Sequence, residues 1–117
     1  KELIKYKGFQ VPPAELEGYL IGHPDIDDVA VIGIEDHDQA TEVPRAYVVP
    51  KKGVEGGKEK EKEIMEWLAK KVASHKKLRG GVRFVDEVPK SASGKILRRV
   101  LKAQAIEEDK KGAKAKL

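Results

Sequence analysis

Residues 29–34, VAVIGI, form a continuous apolar run that is rich in β-branched side chains. A strand with one face in water would alternate apolar and polar residues, and this run has no polar member. It therefore predicts a central strand of a sheet, buried on both faces. Residues 45–49, which Pro50 stops, and residues 82–85 predict two further strands.

Apolar residues at helical spacing predict about three helices around this sheet. The first begins near Pro13 and ends at Gly22, and its Glu17 is expected on the outer face or near the positive end of the helix. A second helix is predicted over about residues 60–75 and a third over about residues 97–105.

The first residues predict a β-hairpin. Residues 3–6 and 9–11 are typical of two short strands around Lys7 and Gly8, and Gly8 can adopt a positive φ in a tight turn. Because side chains alternate along a strand, Lys5 and Lys7 are expected on the same face. Strands and helices mix without a regular βαβ pattern. The predicted fold class is therefore α+β: a small three-stranded sheet flanked by about three helices, plus an N-terminal two-stranded β-hairpin.

The composition indicates one small domain with a basic tail. The 117 residues support a single modest core, and 24 Lys and Arg stand against 20 Asp and Glu. We expect a domain over residues 1–108 and a flexible basic tail over residues 109–117, with order fading from Glu107. The charge permits binding to phosphates or nucleic acid. However, aromatic residues make up only 5% and are not interleaved with basic ones, so no nucleic-acid partner is expected.

The sequence lacks the residues that several classes of function require. The chain has no cysteine, which excludes disulfides, thiolate metal sites and a cysteine nucleophile. His37 lies among acidic residues, but no second histidine follows at a metal-binding spacing, so no metal site is expected. No apolar run approaches the roughly 18 residues of a membrane-spanning helix, and no membrane span is expected.

A small polar turn near the C-terminal end carries one lysine. Residues 89–99 read PKSASGKILRR, and the serines and Gly94 favour a turn over a continuous helix. A turn before a helix exposes N–H groups that can receive an anionic oxygen, and Lys95 adds a mobile positive charge. The turn is not a P-loop, because Pro89 and Ile96 stand where that motif needs a glycine and a hydroxyl. On its own the pattern also fits a surface connection whose lysine is solvated.

Two motifs at opposite ends of the chain resemble one enzyme family. Residues 1–17, KELIKYKGFQVPPAELE, together with PKSASGKILRR at residues 89–99, resemble the C-terminal domain of the acyl-adenylate-forming enzymes. These are the acyl-CoA synthetases, the firefly luciferases and the adenylation domains of non-ribosomal peptide synthetases. The opening is most similar to the branch of 4-coumarate:CoA ligases and luciferases. The motifs occur in the family's order, and the resemblance covers nearly the whole chain.

The resemblance implies a reaction in two steps. ATP activates a carboxylic acid as acyl-AMP, and the acyl group then passes to coenzyme A. Lys95 is implied to contact the adenylate and to assist its formation. ATP and Mg²⁺ are implied to bind mainly to an N-terminal domain, which is the partner of this one. A fragment that starts at Lys1, with no methionine before it, is therefore expected to be inactive alone. The acid is not specified, and luciferase-type oxidation stays open.

The resemblance also implies roles for the hairpin. Lys1 is implied to be the hinge about which the domain rotates between the two steps, and to contact the adenylate. Lys5 and Gln10 are implied to contact the acyl-adenylate after rotation, with Lys5 as the catalytic residue. Lys7 and Gly8 are implied to border the channel for coenzyme A.

Other interpretations remain open. The chain could be a stand-alone anion or nucleic-acid binding module that uses its basic tail, or a passive interaction domain. The hairpin lysines could be solvated charges that protect an edge strand. The last three residues, Ala115-Lys116-Leu117, resemble the Ser-Lys-Leu address that a peroxisomal import receptor reads. We therefore expect a peroxisomal location, with the cytoplasm as the alternative.

Overall fold

The structure is a computed structural model that describes residues 2–115, with side chains as far as residue 112. Its five strands are β1 (Ile4–Tyr6), β2 (Phe9–Val11), β3 (Ile26–Asp36), β4 (Thr41–Pro50) and β5 (Val82–Phe84). Its helices are α1 (Pro13–Leu20), α2 (Lys58–Ala69) and α3 (Arg98–Ala115), and a short 3₁₀ turn spans Ser74–Lys76. The predicted α+β class, with a hairpin beside a three-stranded sheet, is confirmed.

The order of the strands differs from the prediction in one respect. The sheet runs β3-β4-β5, so β4 is the middle strand and β3, which we expected at the centre, lies at an edge. β3 and β4 form a long antiparallel ladder, whereas β4 and β5 are parallel. Parallel neighbours need a crossover, and α2 lies on the connection between them. The fold thus contains a single β-α-β unit within an otherwise irregular order.

Burial of β3 on both faces is confirmed. Val29 and Val31 join the larger core cluster, which includes Leu16 of α1 and Ile64 of α2. Their neighbour Ile32 joins a second cluster with Leu101 of α3. The two sets alternate along the strand, as a period of two requires. Helices therefore cover both faces, which explains why the run from residue 29 to residue 34 needs no polar side chain.

Polar side chains take the place of a neighbouring strand at the outer edge of β3. Glu17 Oε2 accepts a hydrogen bond from the Val31 N–H at 2.8 Å, and Arg98 Nε donates to the Val31 carbonyl at 3.3 Å. Glu17 and Arg98 also contact each other at 2.6 Å. The prediction that Glu17 lies on the outer face or near the positive end of α1 was therefore wrong. Glu17 lies in the middle of α1, and its carboxylate is directed at β3 because the edge strand has free backbone groups to satisfy.

Two helix ends also differ from the predictions. α2 ends at Ala69 rather than near His75, and a 3₁₀ turn follows. α3 continues to Ala115, past Glu107, where we expected order to fade. Lysine, glutamate and alanine are good helix formers, and Asp109 is held by Arg45 at 3.3 Å. The charged composition that suggested a flexible tail is equally suited to a solvated helix. Among residues 2–115, none of the helices combines the length and the hydrophobicity that a membrane span needs.

Candidate active-site surfaces

Lys95 lies at the end of a small closed hairpin. Lys90 and Ile96 form an antiparallel bridge, and Gly94 has a φ of 88°, a left-handed conformation that favours glycine. The Ser91 N–H donates to the Lys95 carbonyl at 2.8 Å. Lys90 Nζ contacts Asp28 Oδ2 at 2.7 Å and fixes this hairpin to the beginning of β3. The Lys95 side chain is exposed, as its predicted role requires.

The backbone of this turn is not a free anion-binding site. The Gly94 N–H donates to the Ser91 carbonyl at 2.9 Å, and the Lys95 N–H donates to Ser91 Oγ at 3.2 Å. α3 begins only at Arg98, so Lys95 is not at the helix N-terminus. The expectation that this turn offers free N–H groups to an anion was therefore wrong for the Ser91, Gly94 and Lys95 amides, which are bonded within the turn. What the loop presents to a ligand is the charge of Lys95.

The N-terminal hairpin presents a second polar surface. Lys5 and Gln10 lie opposite each other in the β1–β2 ladder, so their side chains share one face, and both are exposed. The other face of the hairpin points into the molecule through Ile4 and Val11, which are buried. The structure therefore brings together two of the four residues that were predicted to contact the adenylate.

Lys7 occupies the turn rather than the strand. It has a φ of 47° and Gly8 has a φ of 87°, which is the pattern of a type I′ turn with two left-handed residues. Lys7 Nζ lies 5.6 Å from the centre of the Tyr6 ring. Strand alternation therefore does not relate Lys7 to Lys5, contrary to the prediction. Lys7 and Gly8 instead form the exposed tip of the hairpin.

Lys5 and Gln10 line an open cleft of about 790 Å³. Lys102 adds a positive charge to this cleft, but Glu35 and Glu42 add negative ones. The wall is thus of mixed charge and is not by itself a site for a polyanion. Lys5 can act on a phosphate here only if a second surface supplies the rest of the binding groups.

The two lysine surfaces lie at opposite ends of the β3–β4 ladder. Lys90, at the base of the Lys95 hairpin, contacts Asp28. The Lys5 N–H donates to Glu42 Oε1 at 2.9 Å, and Glu42 pairs with Glu35 in the ladder. Asp28 and Glu35 are seven positions apart, or about 23 Å of extended strand. One ligand the size of a nucleotide cannot contact both anchoring points at once.

Two anchoring residues of the Lys5 hairpin escaped the sequence analysis. Thr41 and Glu42 begin β4 and hold the backbone of Lys5 and Lys7 from 34 to 37 positions away in the sequence. A threonine and a glutamate at the start of a strand are common at a solvated edge, so no local signal distinguishes them. The contact between the hairpin and β4 is visible only in the folded structure.

An acidic cluster near α2 could have held a cation, but a lysine occupies it. His23, Asp25 and Glu63 place possible ligand atoms within 4.8 Å of one another. Lys60 Nζ lies 2.5 Å from Asp25 Oδ2 and 2.7 Å from Glu63 Oε1, and His23 Nε2 bonds to Glu63 at 2.8 Å. The ammonium group already supplies the positive charge. The cluster therefore does not fit Mg²⁺, which prefers several oxygen ligands and waters in an octahedron.

Some predicted positions cannot be placed. The predicted hinge, Lys1, lies outside the described residues. So do Lys116 and Leu117, on which the predicted peroxisomal address depends. Their roles stay predictions.

Comparison with known proteins assigns the chain to a family. Residues 15–95 match the AMP-binding enzyme C-terminal domain. The chain belongs to this family. The resemblance that the two motifs predicted is therefore confirmed, and the Lys95 turn closes the matched region.

Full-length relatives of this C-terminal domain are several times longer. The chain is 52% identical over 113 residues to 4-coumarate–CoA ligase-like 9 of Oryza sativa subsp. japonica, a match that covers 97% of the chain and 20% of that protein. It is 55% identical over 102 residues to luciferin 4-monooxygenase of Luciola mingrelica, which covers 87% of the chain and 18% of that protein. The chain thus spans about a fifth of the length of the curated relatives it matches.

A solved structure shows the same fold. An acyl-CoA synthetase of Brucella canis aligns with a TM-score of 0.84 and 33% sequence identity, over 93% of this chain and 20% of that one. The α+β architecture of this chain is therefore shared with part of that acyl-CoA synthetase.

Proposed function

We propose that this chain is the mobile C-terminal domain of an ATP-dependent acid:CoA ligase. In this proposal the whole enzyme activates a carboxylic acid as acyl-AMP and transfers the acyl group to coenzyme A. The supporting observation is the separation of two exposed lysine hairpins at opposite ends of the β3–β4 ladder. Each end can serve one half-reaction when it faces the active site, and a rotation exchanges them. Family membership supports the class of reaction.

The Lys95 hairpin serves the first step. A carboxylate oxygen attacks the α-phosphorus of ATP, a new C–O–P linkage forms, and the bond to pyrophosphate breaks. Negative charge grows on the α-phosphate oxygens as two anions approach each other. The Lys95 ammonium neutralises this charge in the transition state, where an electrostatic interaction accelerates the reaction most.

The Lys5 hairpin serves the second step. The thiol of coenzyme A loses its proton to solvent, its sulfur attacks the acyl carbonyl carbon, and AMP leaves with the electron pair of the broken C–O bond. Lys5 and Gln10 share one exposed face, on which they can hold the phosphate of the adenylate. Lys7 and Gly8 form the tip beside them and border the path of the thiol. In a type I′ turn a glycine backbone can approach a ligand closely.

ATP and Mg²⁺ bind mainly to the N-terminal domain in this proposal. The cleft beside Lys5 has mixed charge, and Lys60 already occupies the acidic cluster. The C-terminal domain therefore adds single positive charges to a site that another domain builds. We expect the isolated chain to be inactive for the same reason.

Separate half-reaction assays test the proposal in the full-length enzyme that contains this domain. We expect Lys95→Ala to lower acyl-adenylate formation by roughly 10²-fold or more, as loss of one oxyanion-stabilising group does elsewhere. Thioester formation from supplied acyl-adenylate and coenzyme A should be retained. We expect Lys5→Ala to show the reverse pattern. Lys62→Ala, at an exposed position of α2, is the matched control and should change neither rate.

Equal loss of both half-reactions in Lys95→Ala would contradict the assignment of one step to each end. Retention of both would show that Lys95 is a solvated surface charge.

A luciferase-type oxidation is the second candidate, because a luciferin 4-monooxygenase is 55% identical over 102 residues. Both candidates share the adenylation step and differ in what consumes the adenylate. Adding coenzyme A or oxygen separately to the preformed acyl-adenylate distinguishes them. Thioester release supports the ligase, and light emission supports the oxidation.

A further inference from the structure

One hydroxyl group fixes two backbone atoms of the Lys5 hairpin. Thr41 Oγ1 donates a hydrogen bond to the Lys5 carbonyl at 2.9 Å. The same oxygen accepts a hydrogen bond from the Lys7 N–H at 2.8 Å. Lys7 is held in a left-handed conformation, with a φ of 47°, that is costly for a residue other than glycine. The Thr41 bridge therefore restrains the backbone on both sides of Tyr6, at the beginning of the turn.

Glu42, the residue after Thr41, fixes a third backbone atom of the hairpin, the Lys5 amide nitrogen. Glu42 Oε1 accepts a hydrogen bond from the Lys5 N–H at 2.9 Å, and Glu42 Oε2 lies 3.2 Å from Lys102 Nζ on α3. A methyl group at Gly33 would lie only 3.3 Å from Glu42 Oε1, so the glycine leaves space for this carboxylate. Glu42 thus joins the hairpin to β4 and to α3.

These contacts act on the outer edge of β1. The inner edge of β1 pairs with β2 through Ile4, Lys5 and Tyr6. A two-stranded hairpin alone is marginally stable in water, so its position depends on what lies beside it. Thr41 and Glu42 supply polar partners that a third strand would otherwise provide.

We infer that Thr41 and Glu42 are positioning residues for thioester formation. They hold the Lys5 backbone, and hence the Lys5 and Lys7 side chains, in the geometry that meets the acyl-adenylate. This inference rests on the proposed function and names residues that act through Lys5 rather than on the substrate. A site whose supporting contacts are loosened loses rate even when its reactive group is retained.

An isosteric substitution tests Thr41 in the full-length enzyme. Thr41→Val keeps the shape of the side chain and removes both hydrogen bonds, whereas Thr41→Ser keeps the hydroxyl. We expect Thr41→Val to lower the kcat of thioester formation from supplied acyl-adenylate about tenfold. Adenylate formation should change less than about twofold, since Lys95 lies at the other end of the ladder. We expect Thr41→Ser to restore most of the thioester rate.

A second pair of variants separates the two contacts of Glu42. Glu42→Gln can still accept a hydrogen bond from the Lys5 N–H but loses its charge toward Lys102. Glu42→Ala loses both contacts. We expect the thioester rate to fall about tenfold in Glu42→Ala and less than about threefold in Glu42→Gln. If the two variants fall equally, the hydrogen bond to Lys5 does not position the hairpin.

Hydrogen exchange supplies a readout that does not depend on activity. In the 117-residue chain, the Lys7 amide is protected by Thr41 and the Lys5 amide by Glu42. We expect Thr41→Val to accelerate exchange at Lys7 about tenfold or more, while buried amides of β4 such as Val48 keep their protection. Unchanged exchange at Lys7 would overturn the inference, even if the rate of thioester formation fell.

The Lys5→Ala variant distinguishes a failure of the proposed function from a failure of the positioning role alone. If Lys5→Ala leaves thioester formation intact, the proposed role of the hairpin fails and the positioning role fails with it. If Lys5→Ala lowers that rate but Thr41→Val does not, the proposed function stands and the positioning inference alone is overturned. A parallel loss of both half-reactions in Thr41→Val would indicate general destabilisation and would also overturn it.

Discussion

The Glu17 carboxylate contacts the Arg98 guanidinium at 2.6 Å although 81 positions separate the two residues in the sequence. Their side chains are only 13% and 20% exposed. Between them they satisfy the N–H and the carbonyl of Val31 at the edge of β3. Since Arg98 is the first residue of α3 and follows Lys95 by three positions, this pair fixes the base of the Lys95 hairpin to the sheet.

Removing the cation from this pair should destabilise the domain. We expect Arg98→Met to lower the free energy of unfolding by about 2 kcal/mol, because the Glu17 carboxylate would remain in a largely buried position without its partner. Urea unfolding of the 117-residue chain measures the change. Arg99→Met, the exposed neighbour, is the control and should change stability by less than about 0.5 kcal/mol. Equal effects of the two substitutions would contradict this account.

The Lys60 cluster should make stability depend on pH. The hydrogen bond from Lys60 is the main cause that lowers the pKa of Asp25 from its ordinary 3.8 and that of Glu63 from 4.5. Carboxyl groups whose pKa is lowered in the folded state stabilise the fold at pH values above their ordinary pKa. This stabilisation is lost as the pH falls through the lowered pKa. We therefore expect the difference in unfolding free energy between the wild type and Lys60→Met to be full at pH 7 and smaller at pH 3.

The same cluster predicts a change at alkaline pH. The hydrogen bond to Asp25, followed by that to Glu63, raises the pKa of Lys60 above its ordinary 10.5. A raised lysine pKa stabilises the fold below the ordinary value, and the contribution disappears as the pH rises through the raised one. Urea unfolding at several pH values measures both limits. A difference between the two proteins that stays constant from pH 3 to pH 7 would rule out this contribution.

The turn of the N-terminal hairpin should show opposing effects on stability and function. Lys7 has a φ of 47°, a conformation that asparagine tolerates and that Asn-Gly turns favour. We expect Lys7→Asn to raise the free energy of unfolding by about 0.5–1 kcal/mol. Lys7→Ala, which removes the charge without relieving the strain, should not stabilise. If Lys7 borders the channel for coenzyme A, both variants should raise the KM for coenzyme A in the full-length enzyme.

Two glycines should respond to alanine in opposite directions. Gly18 lies inside α1 with no atom within 4 Å of an added Cβ, so Gly18→Ala should stabilise by about 0.5–1 kcal/mol through helix propensity. At Gly80 the added Cβ would lie 2.8 Å from the Pro44 carbonyl oxygen, which also accepts the Gly80 N–H at 2.7 Å. Gly80→Ala should destabilise by roughly 2 kcal/mol. Thermal unfolding measures both, and changes of equal sign would contradict the packing at Gly80.

Local sequence patterns predicted the strands and helices better than they predicted which elements lie beside one another. The apolar run at residues 29–34 predicted burial on both faces of β3, because the polarity of each side chain reflects its own burial. It could not predict that β3 lies at an edge, since β5 pairs with β4 only after the chain crosses over through α2. Glu17 was assigned to the wrong side of α1 for the same reason: its partners, Val31 and Arg98, are distant in the sequence.

In the candidate site, too, residues in local motifs were predicted, whereas contacts between distant segments were not. Lys5, Gln10 and Lys95 became candidates because they stand in the two motifs that resemble the family, and the structure exposes all three. Thr41 and Glu42 were missed because an anchoring contact has no signature in either segment alone. The closed hydrogen bonds of the Lys95 turn were missed because the serines were interpreted only as favouring a turn, not as partners for its N–H groups.

The internal hydrogen bonds of the Lys95 hairpin lower the conformational entropy that this loop loses when it docks on a partner surface. With the Ser91, Gly94 and Lys95 amides already bonded within the loop, the backbone has little further order to gain when it reaches a partner surface. Only the lysine side chain must lose freedom, at a cost of about 1.5–2 kcal/mol. A loop that had to fold on arrival would lose about 1–2 kcal/mol more for each residue that it ordered. In the proposed cycle, the preformed turn would let the Lys95 charge dock and withdraw repeatedly with a small entropic cost.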